Sequence, residues 1–107
     1  MIDYKKLSNE QIESINEVMD NFDFERVEKV MNCLEWGWGF ENQIPYIHEI
    51  RNFARQLLAD TIIGLSNLIE DKKLSLSSGG FTATAYIDGS LSLSFVVEEW
   101  EHFTNEN

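Results

Sequence analysis

The chain has one cysteine, Cys33, and one proline, Pro45, among its 107 residues. A single thiol excludes an internal disulfide and fits a reducing compartment. Free cysteine is among the most buried residue types, so Cys33 reads as a small hydrophobe on a helix. No apolar run approaches the roughly 20 residues that span a bilayer. The N-terminus MIDYKKLSNEQ has no apolar segment of the kind that directs secretion. A cytoplasmic protein without a membrane partner is expected. Bases are also scarce, 8 Lys and Arg against 19 Asp and Glu, for a net charge of -11. Affinity for nucleic acid rests largely on cations neutralising phosphates, so this balance excludes ordinary duplex binding. Two readings of the acids remain. One is a solvated surface that keeps the protein soluble; the other is a DNA-mimicking surface that enters a basic groove on another protein.

Catalytic and metal-binding patterns are missing as well. The two histidines, His48 and His102, fall in different elements, and neither has metal-ligand spacing with Cys33 or a carboxylate. No P-loop, nucleophile elbow or dinucleotide fingerprint is present. Paired carboxylates abound, as 19 acids would produce by chance. The reading is a protein that is not an enzyme and carries no metal or cofactor.

What is present is a change of character at Lys72-Lys73. From Leu74 to Val97, in LSLSSGGFTATAYIDGSLSLSFVV, the only charged residue is Asp88. Strict apolar/polar alternation there predicts strands at Leu74–Ser78, Phe81–Ile87 and Leu91 to about Trp100. Gly79-Gly80 allows a turn or bulge, and Asp88-Gly89 is a two-residue hairpin signal that would set Ile87 opposite Ser90 and Tyr86 opposite Leu91. Phe81, Ala83, Ala85 and Ile87 then share one face. Thr82, Thr84, Ser92 and Ser94 make the other face polar but uncharged.

Before Lys72 the period is helical. Ser8 with Gln11 is a capping-box pattern, opening a helix to about Asp20 with the stripe Ile12, Ile15, Val18 and Met19. Asp23 can cap a second helix through Leu34, with Val27, Val30, Met31 and Leu34 on one face. Pro45 suits the first turn of a third helix from Tyr46 to about Glu70. Ile62, Ile63 and Gly64 widen its apolar stripe, which makes a subunit interface the expected cover and a homodimer or larger assembly the expected state. Between the second and third helices, Trp36-Gly37-Trp38-Gly39-Phe40 offers either a base-stacking surface or a connector whose rings fill the core. The chain is expected to be one α+β domain, residues 1–107: a helical part over 1–72 and a three-stranded antiparallel meander over 73–103.

Two features suit an anion. Arg51 and Arg55 stand at i, i+4 on the third helix with His48 one turn earlier, where a guanidinium can meet phosphate or stack on a base. Glu49 and Asp60 equally make this an ordinary solvated face. Ser77-Ser78-Gly79-Gly80 can cradle a phosphate through backbone N–H groups or be a plain turn.

Three blocks, FDFERVEKVMNCLEWGW, IPYIHEIRNFARQLL and SSGGFTATAYIDGSLSLSFVVEEW, spanning Phe22 to Trp100, resemble a family of small bacteriophage proteins, the first Thoeris anti-defence family. The resemblance implies a sponge that sequesters a cyclic ADP-ribose-type immune signal, a cyclic nucleotide, without cleaving it. It implies that Phe81 stacks on the base, that Arg55 or the competing Arg51 meets phosphates, and that Asp88 or Ser90 lies near the ribose; a nucleotide also needs small hydroxyl donors, and Thr82 is the expected one for the ribose. A further arginine of the family is expected near the last strand; Trp100 and His102 stand in that region here, beside Glu98, Glu99 and Glu101. The alternative expectation is an acidic protein-binding inhibitor of anti-restriction or anti-CRISPR type, with a host defence protein as partner. A third is a structural phage protein whose uncharged sheet serves only to assemble copies.

Overall fold

The computed structural model describes residues 7–34 (without the side chains of 32–34), 47–68 and 72–96, and in it three helices precede a three-stranded sheet. The architecture is α+β, as the two periodicities require. Helix α1 covers Asn9–Asn21. Its first turn closes as a capping box: Ser8 Oγ accepts from the Gln11 N–H at 3.1 Å, and Gln11 Oε1 accepts from the Ser8 N–H at 2.8 Å. Two otherwise orphaned donors are satisfied this way. Helix α2, Phe24–Leu34, begins behind Asp23, whose Oδ1 accepts from the Arg26 N–H at 3.1 Å.

Helix α3 covers Ile47–Ser66, shorter at its C-terminal end than the apolar stripe suggested. Ser66 Oγ and Asn67 Nδ2 both donate to the Ile63 carbonyl, at 2.7 and 3.2 Å. Short polar side chains compete for helix carbonyls in this way. The Asn67 and Leu68 N–H groups then close two tight i→i+3 turns onto Gly64 and Leu65. Pro45, Tyr46, Glu70 and the Trp36–Phe40 segment lie outside the described residues.

Strands β1 (Lys73–Ser78), β2 (Phe81–Tyr86) and β3 (Leu91–Phe95) form an antiparallel meander in that order. Gly79 and Gly80 both have positive φ, 59° and 89°, which a two-residue primed turn between Ser78 and Phe81 demands. The second hairpin differs from expectation by one residue. Ala85, not Tyr86, lies opposite Leu91, and Tyr86 N–H donates to the Ser90 carbonyl at 2.9 Å. The loop therefore has three residues, Ile87, Asp88 and Gly89. Gly89 takes φ 93° and its N–H bonds the Tyr86 carbonyl at 2.9 Å. A turn followed by a glycine at positive φ absorbs one more residue than the two-residue hairpin, and Asp-Gly suits both. With this register Thr82 and Thr84 share a face with Ser94 and Ser92, because they are directly paired. Ile87 falls in the turn instead of on the core face and is 71% exposed.

Helix α3 is the centre of the molecule. It contacts β1 and β2 on one side and α1 and α2 on another. Ile50, Ala54, Leu57, Leu58, Ala59, Thr61 and Ile62 are buried along it. Much of its apolar surface is thus covered inside the chain, while Ile63 and Leu65 near its C-terminal end stay half-buried. Buried Thr61 donates its hydroxyl to the Leu57 carbonyl at 2.6 Å, which removes the cost of an unpaired polar group. Small residues let the sheet come close. Ala83 and Ala85 are buried on β2, and a Cβ on Gly64 would stand 2.5 Å from Leu74 Cδ2 on β1.

Candidate functional site

Phe81, the expected stacking ring, is in the core. It is 0% exposed. Its ring centroid lies 4.9 Å from Phe95, 5.8 Å from Phe22, 6.2 Å from Phe53 and 6.3 Å from Phe24, all tilted. Aromatic pairs at these separations attract beyond their burial. Phe81 begins β2, beside the Gly79-Gly80 turn, at the end of the strand that a stacking ring would need open. Rings from α2, α3, β3 and the α1–α2 link close that end instead. In this arrangement the ring has no face left for a base, and the stacking role assigned to it does not fit.

The other expected ligand residues are dispersed. Thr82 points to the opposite side of the sheet from Phe81, and its hydroxyl is 3.0 Å from Ser77 Oγ. Ser75 Oγ and Thr84 Oγ1 make the same bridge at 2.7 Å. Both bridges join non-hydrogen-bonded pairs of the β1–β2 ladder, where opposed side chains approach most closely. Asp88 is at the far end of β2 from Phe81, roughly 17 Å away along a strand of this length. It is fully exposed, and its carboxylate accepts from the Ser90 N–H at 2.8 Å. Bonds from the Ser90 side chain and then its backbone lower the Asp88 pKa below the ordinary carboxylate value. Asp88 is therefore built into its own turn. Trp100 and His102 lie outside the described residues.

The arginines do come together. Arg51 and Arg55 are on α3 one turn apart, with exposed His48 one turn before Arg51. The Arg51 guanidinium carbon sits 5.6 Å above the centroid of Phe24. That ring, first in α2 and buried, carries the cation on its face. Arg55 Nη1 donates to Asn16 Oδ1 and so ties α3 to α1. Sequence reasoning missed Phe24 and Asn16. Nothing local marks a pair separated by 39 positions.

A second set of charges lies on α1. Glu10, Glu13, Glu17 and Asp20 are all exposed and recur at i, i+3, i+7 and i+10, so they share one stripe, and the helix contains no Lys or Arg. Beside this stripe an open groove of about 470 Å³ separates α1 from β3, lined by Ser14, Glu17, Val18 and Asn21 on the helix and by Ser90 to Leu93 on the strand. A second groove of about 300 Å³ lies where α1, the end of α3 and the β2–β3 turn meet. Exposed Leu68, Tyr86 and Ile87 rim it. Among the described residues no three His, Cys, Asp or Glu are grouped to hold a metal ion, and no helix is long and apolar enough to cross a membrane.

No family model, no curated protein and no solved structure matches the chain.

Proposed function

We propose that this protein acts by binding rather than by chemistry, as a phage anti-defence sponge that sequesters a small cyclic nucleotide signal of the cyclic ADP-ribose type in the host cytoplasm. The observation that supports the reading is the Arg51–Arg55 pair, with His48 alongside, on one side of α3. A phosphate held by a chain of net charge -11 needs local cations, and this patch concentrates them. Each guanidinium fork matches phosphate oxygens, and its plane also stacks on a base. With Phe81 in the core, Arg51 takes over the stacking role: its guanidinium carbon stands 5.6 Å over the buried Phe24 ring, and the residue is exposed.

Calorimetric titration with cyclic ADP-ribose isomers and small cyclic oligonucleotides tests this. Removing one charge-assisted bond costs about 1.5–3 kcal/mol, so Arg51→Ala and Arg55→Ala should each weaken binding by roughly tenfold or more. No heat with any of these ligands removes the reading. Unchanged affinity in the double variant removes the site.

A homodimer or higher assembly belongs to the same proposal, with the apolar groove rimmed by Leu68, Tyr86 and Ile87 as its face. Sedimentation equilibrium giving a monomer at all concentrations would exclude it.

One observation favours a second reading, the acidic inhibitor of a host defence complex. The carboxylate stripe on α1, a helix without Lys or Arg, presents charge in a row, as a nucleic-acid backbone does. Phage protection in infected cells that is lost with Glu17→Lys and Glu28→Lys but kept in Arg51→Ala would select this reading over the sponge.

A further inference from the structure

Strand β3 is the last of the sheet, paired only with β2 among the described residues. Which of its backbone groups face outward follows from the ladder. Tyr86 N–H donates to the Ser90 carbonyl, and Val96 N–H donates to the Gly80 carbonyl, both at 2.9 Å. Bonded pairs alternate along an antiparallel ladder. Ser92 and Ser94 therefore spend their backbone groups on β2, whereas Leu91 and Leu93 aim their N–H and C=O away from it. Among the described residues nothing hydrogen-bonds these outward groups. Sheet edges are commonly guarded by a charge, a proline or a bulge. The β3 sequence, LSLSF, has neither charge nor proline, and its register runs without a bulge from Leu91 to Phe95.

The edge opens into the groove of about 470 Å³, whose opposite wall is the α1 face carrying Ser14, Glu17, Val18 and Asn21. We propose that this groove takes an extended basic peptide segment, which pairs with Leu91 and Leu93 as a fourth strand. The stretch from Ser90 to Leu93 is roughly 13 Å long, enough for four or five extended residues. Main-chain bonds to an exposed edge supply affinity in such strand addition, and the wall supplies selectivity. Here the wall is acidic. Glu17 lines the groove, Glu10, Glu13 and Asp20 follow it along a helix without bases, and β3 adds no charge. A second copy pairing β3 with β3 would set two such acidic helices side by side, so like charge argues against it. The inference does not depend on the nucleotide reading. It shares Glu17 with the acidic-inhibitor reading, and backbone amides separate the two.

The test is amide hydrogen exchange by NMR on the full chain. Alone, the protein should exchange the Leu91 and Leu93 amides freely and protect those of Ser92 and Ser94. An acetylated, amidated hexapeptide alternating lysine and valine should then slow Leu91 and Leu93. At ten times its Kd the slowing is about elevenfold, from the factor 1 + [L]/Kd. The glutamate–valine counterpart should leave both amides unchanged. Glu17→Gln, an exposed change that keeps the fold, should weaken the lysine peptide about two- to fivefold. Equal protection by both peptides, or none by either, overturns the proposal. Binding of the lysine peptide that leaves Leu91 and Leu93 open shows a partner held by the acids alone and also overturns it. Protection without peptide that grows with protein concentration identifies a second copy as the occupant, with the same consequence.

Discussion

Replacing Phe81 with alanine separates a structural ring from a ligand-stacking ring. The side chain is fully buried and meets four other phenylalanines. A buried phenylalanine removes at least ~150 Å² from water, at about 25 cal/mol per Å², or close to 4 kcal/mol. Alanine keeps a small part of that term, while the cavity it leaves among rings from different elements adds to the loss. The two corrections oppose each other, and a net cost of about 3–5 kcal/mol is expected, as for other core Phe→Ala changes. Domains of this size are stable by only about 5–15 kcal/mol. At roughly 4–8 °C per kcal/mol, the melting temperature should fall by about 12–40 °C. Phe81→Leu, which keeps most of the volume, should cost much less, about 1–1.5 kcal/mol. Urea unfolding followed by far-ultraviolet circular dichroism and by tryptophan fluorescence measures both variants. A Phe81→Ala protein within 1 kcal/mol of wild type that had lost nucleotide binding would refute the core assignment and return the ring to the ligand.

Three further outcomes follow from the local geometry. Ser8→Ala removes the acceptor of the α1 capping box and should cost about 1 kcal/mol in urea unfolding, with Ser8→Gly costing less. Gly89→Ala places a side chain at φ 93° with nothing within 4 Å to clash, so its cost is backbone strain alone. That cost should be about 1–2 kcal/mol by the same assay, and Gly89→Asn should recover part of it. The third concerns Asp88, whose pKa is lowered in the folded state by Ser90. A depressed carboxylate contributes stability that is present above the unfolded pKa, near 3.9, and is lost as pH falls through the folded value. Amide exchange at Tyr86 and Ser90 should therefore quicken below about pH 4 in wild type, beyond the intrinsic rate. Asp88→Asn should show no such step.

Much of the fold was legible because its signals are local. A cap needs residues three apart, so Ser8 with Gln11, and Asp23 with Arg26, could be read directly. Period two announced the strands and sorted their faces. The register of the second hairpin was not legible, since Asp-Gly serves a two-residue and a three-residue loop alike and only the paired strands choose between them. The ring cluster was not legible either. Alternation places Phe81 on the apolar face, but whether that face ends in solvent or under Phe22, Phe24 and Phe53 depends on how α2 and α3 cross the sheet.

The candidate sites divide in the same way. Arg51 and Arg55 share a side of α3 by spacing alone, and the carboxylate stripe of α1 follows from i, i+3, i+7 and i+10. That Arg51 rests on Phe24 and Arg55 reaches Asn16 was decided by helix packing across long sequence separations. The groove between α1 and β3 has the same origin. By itself, then, the amino-acid sequence determined the order and type of the elements and most of their apolar faces, because periodicity and capping act within a few residues, while the ends of α3, β2 and β3 fell short of the pattern. Only the tertiary structure decided which apolar face is sealed and which sheet edge is unpaired among the described residues, because burial and edge pairing depend on neighbours far away in the chain.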